Sequence, residues 1–348
     1  MRTNASLHLG MVGVLGVLLV LGIPRVSAIN SSNNTTVVLH PESQGSDLEI
    51  QAALDQLPAG GGTVVLAAGS YVIHHPLRLH RSSQTLRGSG TATVLRLADR
   101  ADCPVVILGS TARDTAAAGL HDVCLADLVI DGNRSHQSQE QWANPLNTSG
   151  IQNNGVMIQN VSDSTVTDVV AAHCRSGGLV TANGTRRLTV NGFTAFDNQF
   201  DGLACYRTEE SVFTRLNLHD NLAAGISLDW NFDHNVVSDS TLTGNDLGIF
   251  MRRSCDNQFR NVTIAQSRHD GVFMAQWEWR APNGWQPQPQ TECVGNSFDN
   301  LEIHDCAGAA FRVHDAACVK NVIQDGVFSG NHNGGLVEAD AHLVLMRD

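Results

Sequence analysis

Short runs of alternating apolar and polar residues recur along this chain with a fixed spacing. From residue 155 a glycine opens each run, and the openings are 23, 24, 23, 23 and 23 residues apart: Gly155, Gly178, Gly202, Gly225, Gly248 and Gly271. A period of two is typical of β-strands, and no helical period runs through this region. Short strands at even spacing predict a parallel β-solenoid. A coil of about 23 residues suits a three-faced right-handed β-helix.

Polar residues mark the corners of these units. Asparagines follow the first strand at Asn235, Asn257 and Asn321. A small polar residue also lies four positions before most of the openings: Cys174, Asn198, Asn221, Ser267, Cys306 and Asn331. In the Gly248 unit the corresponding Asn245 lies three positions before the opening. Because stacked coils bring equivalent corners together, these side chains are expected to form hydrogen-bonded ladders.

The N-terminal residues do not follow the repeat. Arg2 precedes an apolar run at 11–23 and small residues at 26–28, which predicts a secretory signal over residues 1–28. An uncleaved membrane anchor is the alternative. Residues 29–44 are predicted to be a linker, and residues 45–348 the solenoid domain. Ser46 and Glu49 form a capping-box pattern that predicts a helix over 46–58, which would cap the open end of the solenoid.

The balance of charge argues against nucleic acid as a partner. The formal net charge is -12, and it becomes -14 without residues 1–28, which contain two arginines and no acid. Phosphate contacts need a basic surface, and a polyanionic partner of any kind needs a locally positive groove. The eight cysteines follow no zinc-site spacing, so disulfides and buried thiols are both compatible with the sequence.

Three stretches carry a resemblance to a known family. "LPAGGGTVVLAAGSYVI" (57–73), "TLRGSG" (85–90) and "LVIDGN" (128–133) resemble the opening of the pectate-lyase superfamily, and the later coils are similar to its general repeats. The resemblance covers nearly all of residues 45–348. It implies an all-β fold, a single right-handed parallel β-helix with a short N-terminal α-helical cap. It leaves the reaction open, because this superfamily includes lyases, hydrolases, epimerases, phage tail spikes and proteins without known activity.

Strand parity separates inward from outward side chains. Positions one and three after each opening glycine are apolar or small and must line the core, so positions two and four face outward. Along successive coils the fourth position is Ala182, Tyr206, Asp229, Arg252, Ala275 and His314. The next position is Asn183, Arg207, Trp230, Arg253, Gln276 and Asp315. With coils about 4.8 Å apart, Tyr206, Asp229 and Arg252 are expected to form one cluster about 10 Å long.

This cluster contains the residue types that β-elimination on a uronic acid sugar needs. The reaction requires a cation that neutralises the sugar carboxylate, a base and an acid. Arg252 and Arg253 are candidates for binding the carboxylate. Tyr206 is a candidate acid or base, with a pKa lowered by the nearby arginine. Asp229 is predicted to orient Arg252 or to bind Ca²⁺, and no other cofactor is indicated. The resemblance supports this reaction, because β-helix uronate lyases and epimerases use similar residue types.

Two other functions are compatible with the same residues. A glycoside hydrolase would pair Asp229 with a second carboxylate. The candidates for that carboxylate are Asp201, Asp233, Asp270, Glu278 and Asp315. Asp201 and Asp270 precede glycines, and an Asp-Gly turn also explains them. Further candidate bases are His234, His269 and His314. A non-catalytic glycan-binding or structural β-helix needs only the fold, and Asp229 with Arg252 would then be an exposed ion pair worth about 0–1 kcal/mol.

Tryptophans flank the predicted cluster. Trp230 ends the strand of Asp229, and three more lie in a 16-residue insertion between the Gly271 and Ala310 units. Their indole faces suit stacking on sugar rings, and packing of the insertion against the coil is the alternative. The predicted substrate-binding residues are Arg207, Trp230, Arg253, Gln276, Trp277, Trp279, Trp285 and His314. We therefore expect a secreted protein with a polysaccharide as its partner, monomeric by default, with a trimer also compatible.

Replacement of Trp277, Trp279 and Trp285 together by Ala is expected to weaken glycan binding and to change the melting temperature little. The reason is that exposed indoles contribute contact area to a ligand and little to the core. Binding is measured by affinity electrophoresis in polysaccharide gels, with thermal unfolding in parallel. A large loss of thermal stability would show instead that the three side chains are packing residues.

Overall fold

The computed structural model describes residues 27–31, 34–41, 46–110, 119–138, 153–274, 292–338 and 344–347. Its strands form two sheets that run along the solenoid, with all pairings parallel except that of the first two strands. The larger sheet contains Ser27–Ser31, Asn34–Leu39, Gly62–Leu66, Gly69–Ile73, Gln84–Arg87, Thr93–Leu97, Cys124–Asp131, Thr165–Ala172, Thr189–Asn191, Thr194–Phe196, Val212–Thr214, Asn217–His219, Val236–Thr243, Gln258–Ala265, Ser297–His304, Asn321–Gln324, Val327–Ser329 and Val344–Arg347.

The smaller sheet includes the strands that the unit-opening runs from residue 155 onward predict. It contains Leu77–Leu79, Val106–Gly109, Leu120–His121, Val156–Gln159, Val161–Ser162, Leu179–Ala182, Thr185–Arg186, Leu203–Glu209, Ala224–Asp233, Leu247–Met251, Val272–Met274, Phe311–Val313 and Leu336–Glu338. The helices of the described residues are an α-helix, Ser46–Gln56, and a 3₁₀ turn, Arg134–His136. The prediction of an all-β parallel solenoid is confirmed.

The coils stack in the register that the sequence spacing predicts. Ile226 pairs with Leu203 on one side and with Ile249 on the other. Val272 then pairs with Phe311, so the step of 39 residues between the Gly271 and Ala310 units is one coil plus an insertion. All five side chains are buried in one continuous core. Since alternate side chains of a strand point to opposite faces, this register fixes which residues lie outside.

Two asparagine ladders run through the corners of the stack. In the first, the side-chain amide of Asn198 donates to Asn221 and that of Asn221 donates to Asn245, each over 2.9 Å. Asn245 therefore belongs to the ladder despite its different spacing from the glycine. The second ladder joins four fully buried side chains in order: Asn235, Asn257, Asn296 and Asn321. The predicted corner ladders are confirmed.

The N-terminal part contains two strands that the sequence analysis does not predict. Ser27–Ser31 and Asn34–Leu39, at the end of the predicted signal and in the predicted linker, pair antiparallel with each other, and the second also pairs in parallel with Gly62–Leu66. The helix Ser46–Gln56 begins where the capping-box pattern predicts, and Ile50 and Leu54 pack into the core. Its role as a cap stays a prediction, as do the domain boundaries. Among the described residues, no helix combines the length and apolarity that a membrane crossing needs.

Replacement of Asn257 by Ala is expected to lower the free energy of unfolding by about 2–4 kcal/mol. The Asn257 side chain accepts a hydrogen bond from the Asn235 backbone and donates to the Phe232 carbonyl at 2.8 Å, and both partners are buried. The alanine variant would leave the buried Asn235 amide and the buried Phe232 carbonyl without these hydrogen bonds. Urea unfolding measures the change, and Asn217→Ala, at an exposed strand position, is the matched control. Equal stability of the two variants would contradict a structural role for the ladder.

Candidate functional site

The predicted outward cluster forms on the smaller sheet. Tyr206 pairs in register with Asp229 on the next coil. The Arg252 backbone amide donates to the Leu228 carbonyl, which places the arginine on the following coil, and its guanidinium forms an ion pair with the Asp229 carboxylate. Leu228 lies in the core, so Asp229 occupies the opposite face, as strand parity predicts.

This face is covered rather than open to solvent. The side chain of Asp229 is only 2% exposed and that of Arg252 is 22% exposed. Next to them, outward residues of four earlier coils form a second buried apolar cluster, against which Tyr206 packs: Ile107, Met157, Val180 and Ala204. The alternative of an exposed Asp229–Arg252 surface pair is therefore wrong. A buried pair loses hydration and holds its charges in a medium of low polarity, so its electrostatics are strong.

A β-bulge lies directly after Asp229. Tyr206 pairs with Asp229 and Thr208 pairs with Phe232, so one residue of the lower coil faces two of the upper one, Trp230 and Asn231. Both residues have positive φ, 55° and 71°, which is uncommon for a bulky side chain such as Trp230. Bulges of this kind redirect side chains and are frequent beside active sites. We conclude that the bulge sets the direction of the Asp229 strand end.

The predicted strand-end residues lie at this corner. The Arg207 guanidinium lies over the Trp230 ring, 5.7 Å from its centre. Arg207 and Arg253 both have positive φ, 49° and 47°, so they form the turns that end their strands. Arg207 is exposed, while Trp230 and Arg253 are half-buried. These three residues therefore form a basic and aromatic rim beside Asp229.

Burial changes the proton affinities of the cluster. It raises the pKa of Asp229 to about 6 against the opposing influence of the Arg252 charge. Hydrogen bonds from the Arg252 side chain and the Trp230 backbone also favour the ionised form, and burial outweighs them. Burial likewise raises the pKa of Tyr206, and the carboxylates of Asp201 and Asp229 add to the rise. The expectation that an arginine lowers the pKa of Tyr206 is therefore wrong, because burial outweighs the attraction of Arg252.

Asp201 also belongs to this cluster, although the sequence analysis treated it as one of five candidate carboxylates and as one that a turn also explains. Its Oδ1 accepts a hydrogen bond from the Ala224 amide at 2.9 Å, which is a contact to the next coil, so the local turn role that the Asp-Gly pattern suggests stays a prediction. Burial also raises the pKa of Asp201 to about 7, and both Arg252 and Asp229 act on its charge. Asp201 thus supplies a second titrating carboxyl group in the same site. Nothing in the sequence indicates that Asp201 is buried here, because that burial depends on outward apolar residues contributed by several coils.

An aromatic row extends from Arg252 along the same face. The Arg252 guanidinium lies 4.9 Å from the centre of the Phe250 ring. The ring centres of Phe250 and Phe273 are 5.9 Å apart, and those of Phe273 and His314 are also 5.9 Å apart. Phe250 and Phe273 occupy position two after the opening glycine of their coils, an outward position whose residues the sequence analysis did not single out. The row connects the predicted residue His314 to the cluster.

The other predicted acids and bases lie apart from this arrangement or make structural contacts. Asp270 forms an ion pair with Arg312 and accepts the Ala309 amide. Asp233 accepts the Cys255 amide, and His269 contacts Asp246 at 3.0 Å. His234 is exposed at its corner, and Asp315 accepts the Ala317 amide. Five predicted residues lie outside the described residues: Gln276, Trp277, Glu278, Trp279 and Trp285.

The described residues contain no recognisable metal site. Within them, no group of three or more His, Cys, Asp or Glu side chains is arranged to hold an ion. Asp229 directs one oxygen to Arg252, a cation that already balances its charge. The involvement of Ca²⁺ stays a prediction.

Comparison with known proteins identifies the fold. Residues 99–264 match the family described as right handed beta helix region. Among solved structures, the chain is similar to ORF18 of Geobacillus virus E2, with 15% identity and a TM-score of 0.60 over 89% of this chain and 61% of that one. It is similar to the polygalacturonase of Erwinia carotovora ssp. carotovora, with 12% identity and a TM-score of 0.56 over 93% and 99% of the two chains.

A third similar structure is the A-module of the mannuronan C-5 epimerase AlgE6 of Azotobacter vinelandii, with 16% identity and a TM-score of 0.51 over 86% and 97% of the two chains. None of the curated proteins matches the sequence. The solenoid is therefore right-handed, and the resemblance to the β-helix proteins of the pectate-lyase superfamily is confirmed at the level of the fold.

The free energy of unfolding is expected to fall as the pH rises from about 4 to about 7. The folded-state pKa values of Asp229 and Asp201, about 6 and about 7, exceed the ordinary value of 3.8. The folded protein therefore keeps protons that the unfolded chain releases, and this stabilisation is present at low pH and lost as pH rises through the folded pKa values. Asp201→Asn, which mimics the protonated group, should flatten the decline in urea unfolding across this range.

Asp163→Asn is the matched control for this measurement. The hydrogen bond from Arg187 lowers the pKa of the exposed Asp163 to about 2, so the stability that it contributes is lost only below about pH 4. This variant should keep the wild-type slope between pH 4 and 7. An unchanged slope in Asp201→Asn would show that the Asp201 carboxyl does not hold a proton in the folded protein.

Proposed function

We propose that this β-helix protein is an enzyme that cleaves a uronic-acid-containing polysaccharide by β-elimination at the Tyr206–Asp229–Arg252 cluster. The observation that carries the proposal is one buried site that combines an arginine with two carboxyl groups of raised pKa and a protonated tyrosine. Perturbed proton affinities next to a charge partner are typical of catalytic sites.

Arg252 is the residue that would bind the sugar carboxylate. Its planar guanidinium carries five N–H donors, so contact with Asp229 is compatible with contact to a second carboxylate. The partial exposure of Arg252 makes it accessible from the groove while Asp229 remains beneath it. Neutralisation of the uronate by this cation would acidify the proton at C5 of the sugar.

Asp229 and Tyr206 would move the protons. With a pKa of about 6, Asp229 is largely ionised at neutral pH and is a stronger base than an ordinary carboxylate. It would take the C5 proton, and the electron pair would form the C4–C5 double bond as the C4–O bond breaks. The raised pKa of Tyr206 keeps its hydroxyl protonated, so Tyr206 would donate a proton to the leaving oxygen. Atoms and charge balance in this single step.

The similar structures support the choice of substrate class. A polygalacturonase and a mannuronan C-5 epimerase have the same fold, and their names state substrates built from uronic acids. The likeness is one of fold, so the substrate class is carried over here as a proposal. The rim of Arg207 and Arg253 beside the cluster would give an acidic chain of net charge -12 a locally basic groove for such a polymer.

Glycoside hydrolysis is the second candidate, because Asp201, one of the second carboxylates that the sequence suggests, has a raised pKa and its charge interacts with that of Asp229. The pKa of Asp201 is about 7 and that of Asp229 about 6, so at neutral pH Asp201 is protonated in about half of the molecules and Asp229 is mostly ionised. A protonated acid and an ionised carboxylate are the two groups that glycosidases use. Asp201 would then be the second carboxylate of the pair.

Incubation with a panel of uronate and neutral polysaccharides separates these functions. Absorbance of the unsaturated uronate product together with new reducing ends indicates β-elimination, and reducing ends alone indicate hydrolysis. A parallel arm with a chelator and added Ca²⁺ tests the metal prediction. If the protein binds a polysaccharide but forms neither unsaturated uronate nor reducing ends, the result indicates a non-catalytic glycan-binding protein. Culture medium and cell fractions of a producing strain test the proposed secretion.

Arg252→Ala is expected to lower kcat/KM by about 10- to 100-fold, because one charge-assisted contact contributes roughly 1.5–3 kcal/mol. Arg253→Ala should lose less activity, since Arg253 forms the turn and Arg252 forms the ion pair with Asp229. Arg252→Lys should recover only part of the loss, because lysine keeps the charge without the planar fork. Initial rates on the processed polysaccharide measure all three variants.

Stability must be followed in the same variants. Removal of Arg252 leaves the buried Asp229 carboxylate without its cation, so Arg252→Ala should also lower the melting temperature, and rates are compared well below it. Arg215→Ala, at an exposed turn between two strands of the larger sheet, is the control for loss of an arginine. Unchanged turnover in Arg252→Ala would remove Arg252 from the site.

A further inference from the structure

Cys293 and Cys318 are two fully buried cysteines in neighbouring coils at the corner that carries the second asparagine ladder. Each lies three residues before an asparagine of that ladder. The side chains of those asparagines, Asn296 and Asn321, are joined by a 2.9 Å hydrogen bond. The two cysteines are therefore in the same register on adjacent coils.

Backbone contacts confirm this register around the two cysteines. The Gly295 amide donates to the Val319 carbonyl at 3.3 Å, and the Asn321 side chain donates to the Cys293 carbonyl at 3.0 Å. Coils stacked in this way lie about 4.8 Å apart, which falls within the Cα–Cα range of about 4.4–6.8 Å that disulfides require. Both side chains lie in the continuous core, and the neighbouring Cys318 raises the pKa of Cys293.

We infer that Cys293 and Cys318 form a disulfide that joins two adjacent coils when the chain folds under oxidising conditions. The two thiols lose two protons and two electrons and form one S–S bond. A low-molecular-weight disulfide takes up both and leaves as two thiols. Both side chains are fully buried in the finished fold, so the bond forms while these coils assemble. This inference is independent of the proposed catalytic function.

Cys255 is the other cysteine near Cys293 that could compete with Cys318 for the disulfide. It lies on the coil before that of Cys293. On the Cys293 coil the residue in register with Cys255 is Val294, because the Asp256 amide donates to the Val294 carbonyl and the Asn257 side chain donates to Asn296. The Cys255 thiol donates to the Glu292 carbonyl at 3.4 Å. It is engaged by that carbonyl and lies one register position away from Cys293, so it should remain a thiol.

The test is peptide mass mapping of the full chain after refolding with oxidised glutathione. Free thiols are blocked in denaturant without reductant, and proteolysis follows. A linked peptide pair containing Cys293 and Cys318, with the remaining cysteines blocked, is the expected result. Eight blocked cysteines, or a bridge that uses Cys255, would overturn the inference.

Thermal unfolding gives an independent readout. The bond closes a short loop between adjacent coils, so Cys293→Ser and Cys318→Ser should each lower the melting temperature of the oxidised protein by roughly 5–10 °C. Most of this difference should vanish when wild type and variants are refolded and measured with a reductant present throughout. Cys255→Ser is the matched control and should unfold like wild type in both conditions. A difference of the same size in reductant would show that the serines disturb packing and that no bond is lost.

Discussion

The structure depends on one constraint, which is that every coil must satisfy the polar groups at its corners through the neighbouring coil. Backbone amides in the buried corners have no water to bond, and an unpaired one is costly. The asparagine ladders meet this need. The Asn257 side chain, for example, receives a backbone amide from one coil and donates to the Asn296 side chain of the next. In-register stacking follows, because any slip would break each of these bonds along the column.

The same register builds the candidate site. Residues about 23 positions apart become neighbours, so Tyr206, Asp229 and Arg252 meet without any turn designed to bring them together. The bulge at Trp230 and Asn231 is the local departure from regularity, and it occurs where the strand of Asp229 ends. A regular scaffold with a local irregularity at the site can therefore hold charged side chains in fixed positions, as a functional site requires.

Coverage of the outer face gives the site its chemistry. If Asp229 and Arg252 were solvated, their ion pair would contribute little and the carboxyl would titrate near its ordinary value. Because the apolar side chains of neighbouring coils bury this face, the proton affinities of Asp201, Asp229 and Tyr206 all rise. The raised pKa values of these groups thus result from packing by several coils, and no single residue causes them.

The amino-acid sequence by itself determined the repeat, the inward and outward faces and the ladders, because each follows from short-range periodicity. Leu228 and Asp229 are on opposite faces for this reason alone. Only the tertiary structure decided that the outward face is buried, that Asp201 joins Asp229, and that Phe250 and Phe273 form a row leading to His314. It also reversed the expected shift of the Tyr206 pKa. Burial and the sum of charges depend on side chains from several coils at once, and no single repeat encodes that sum.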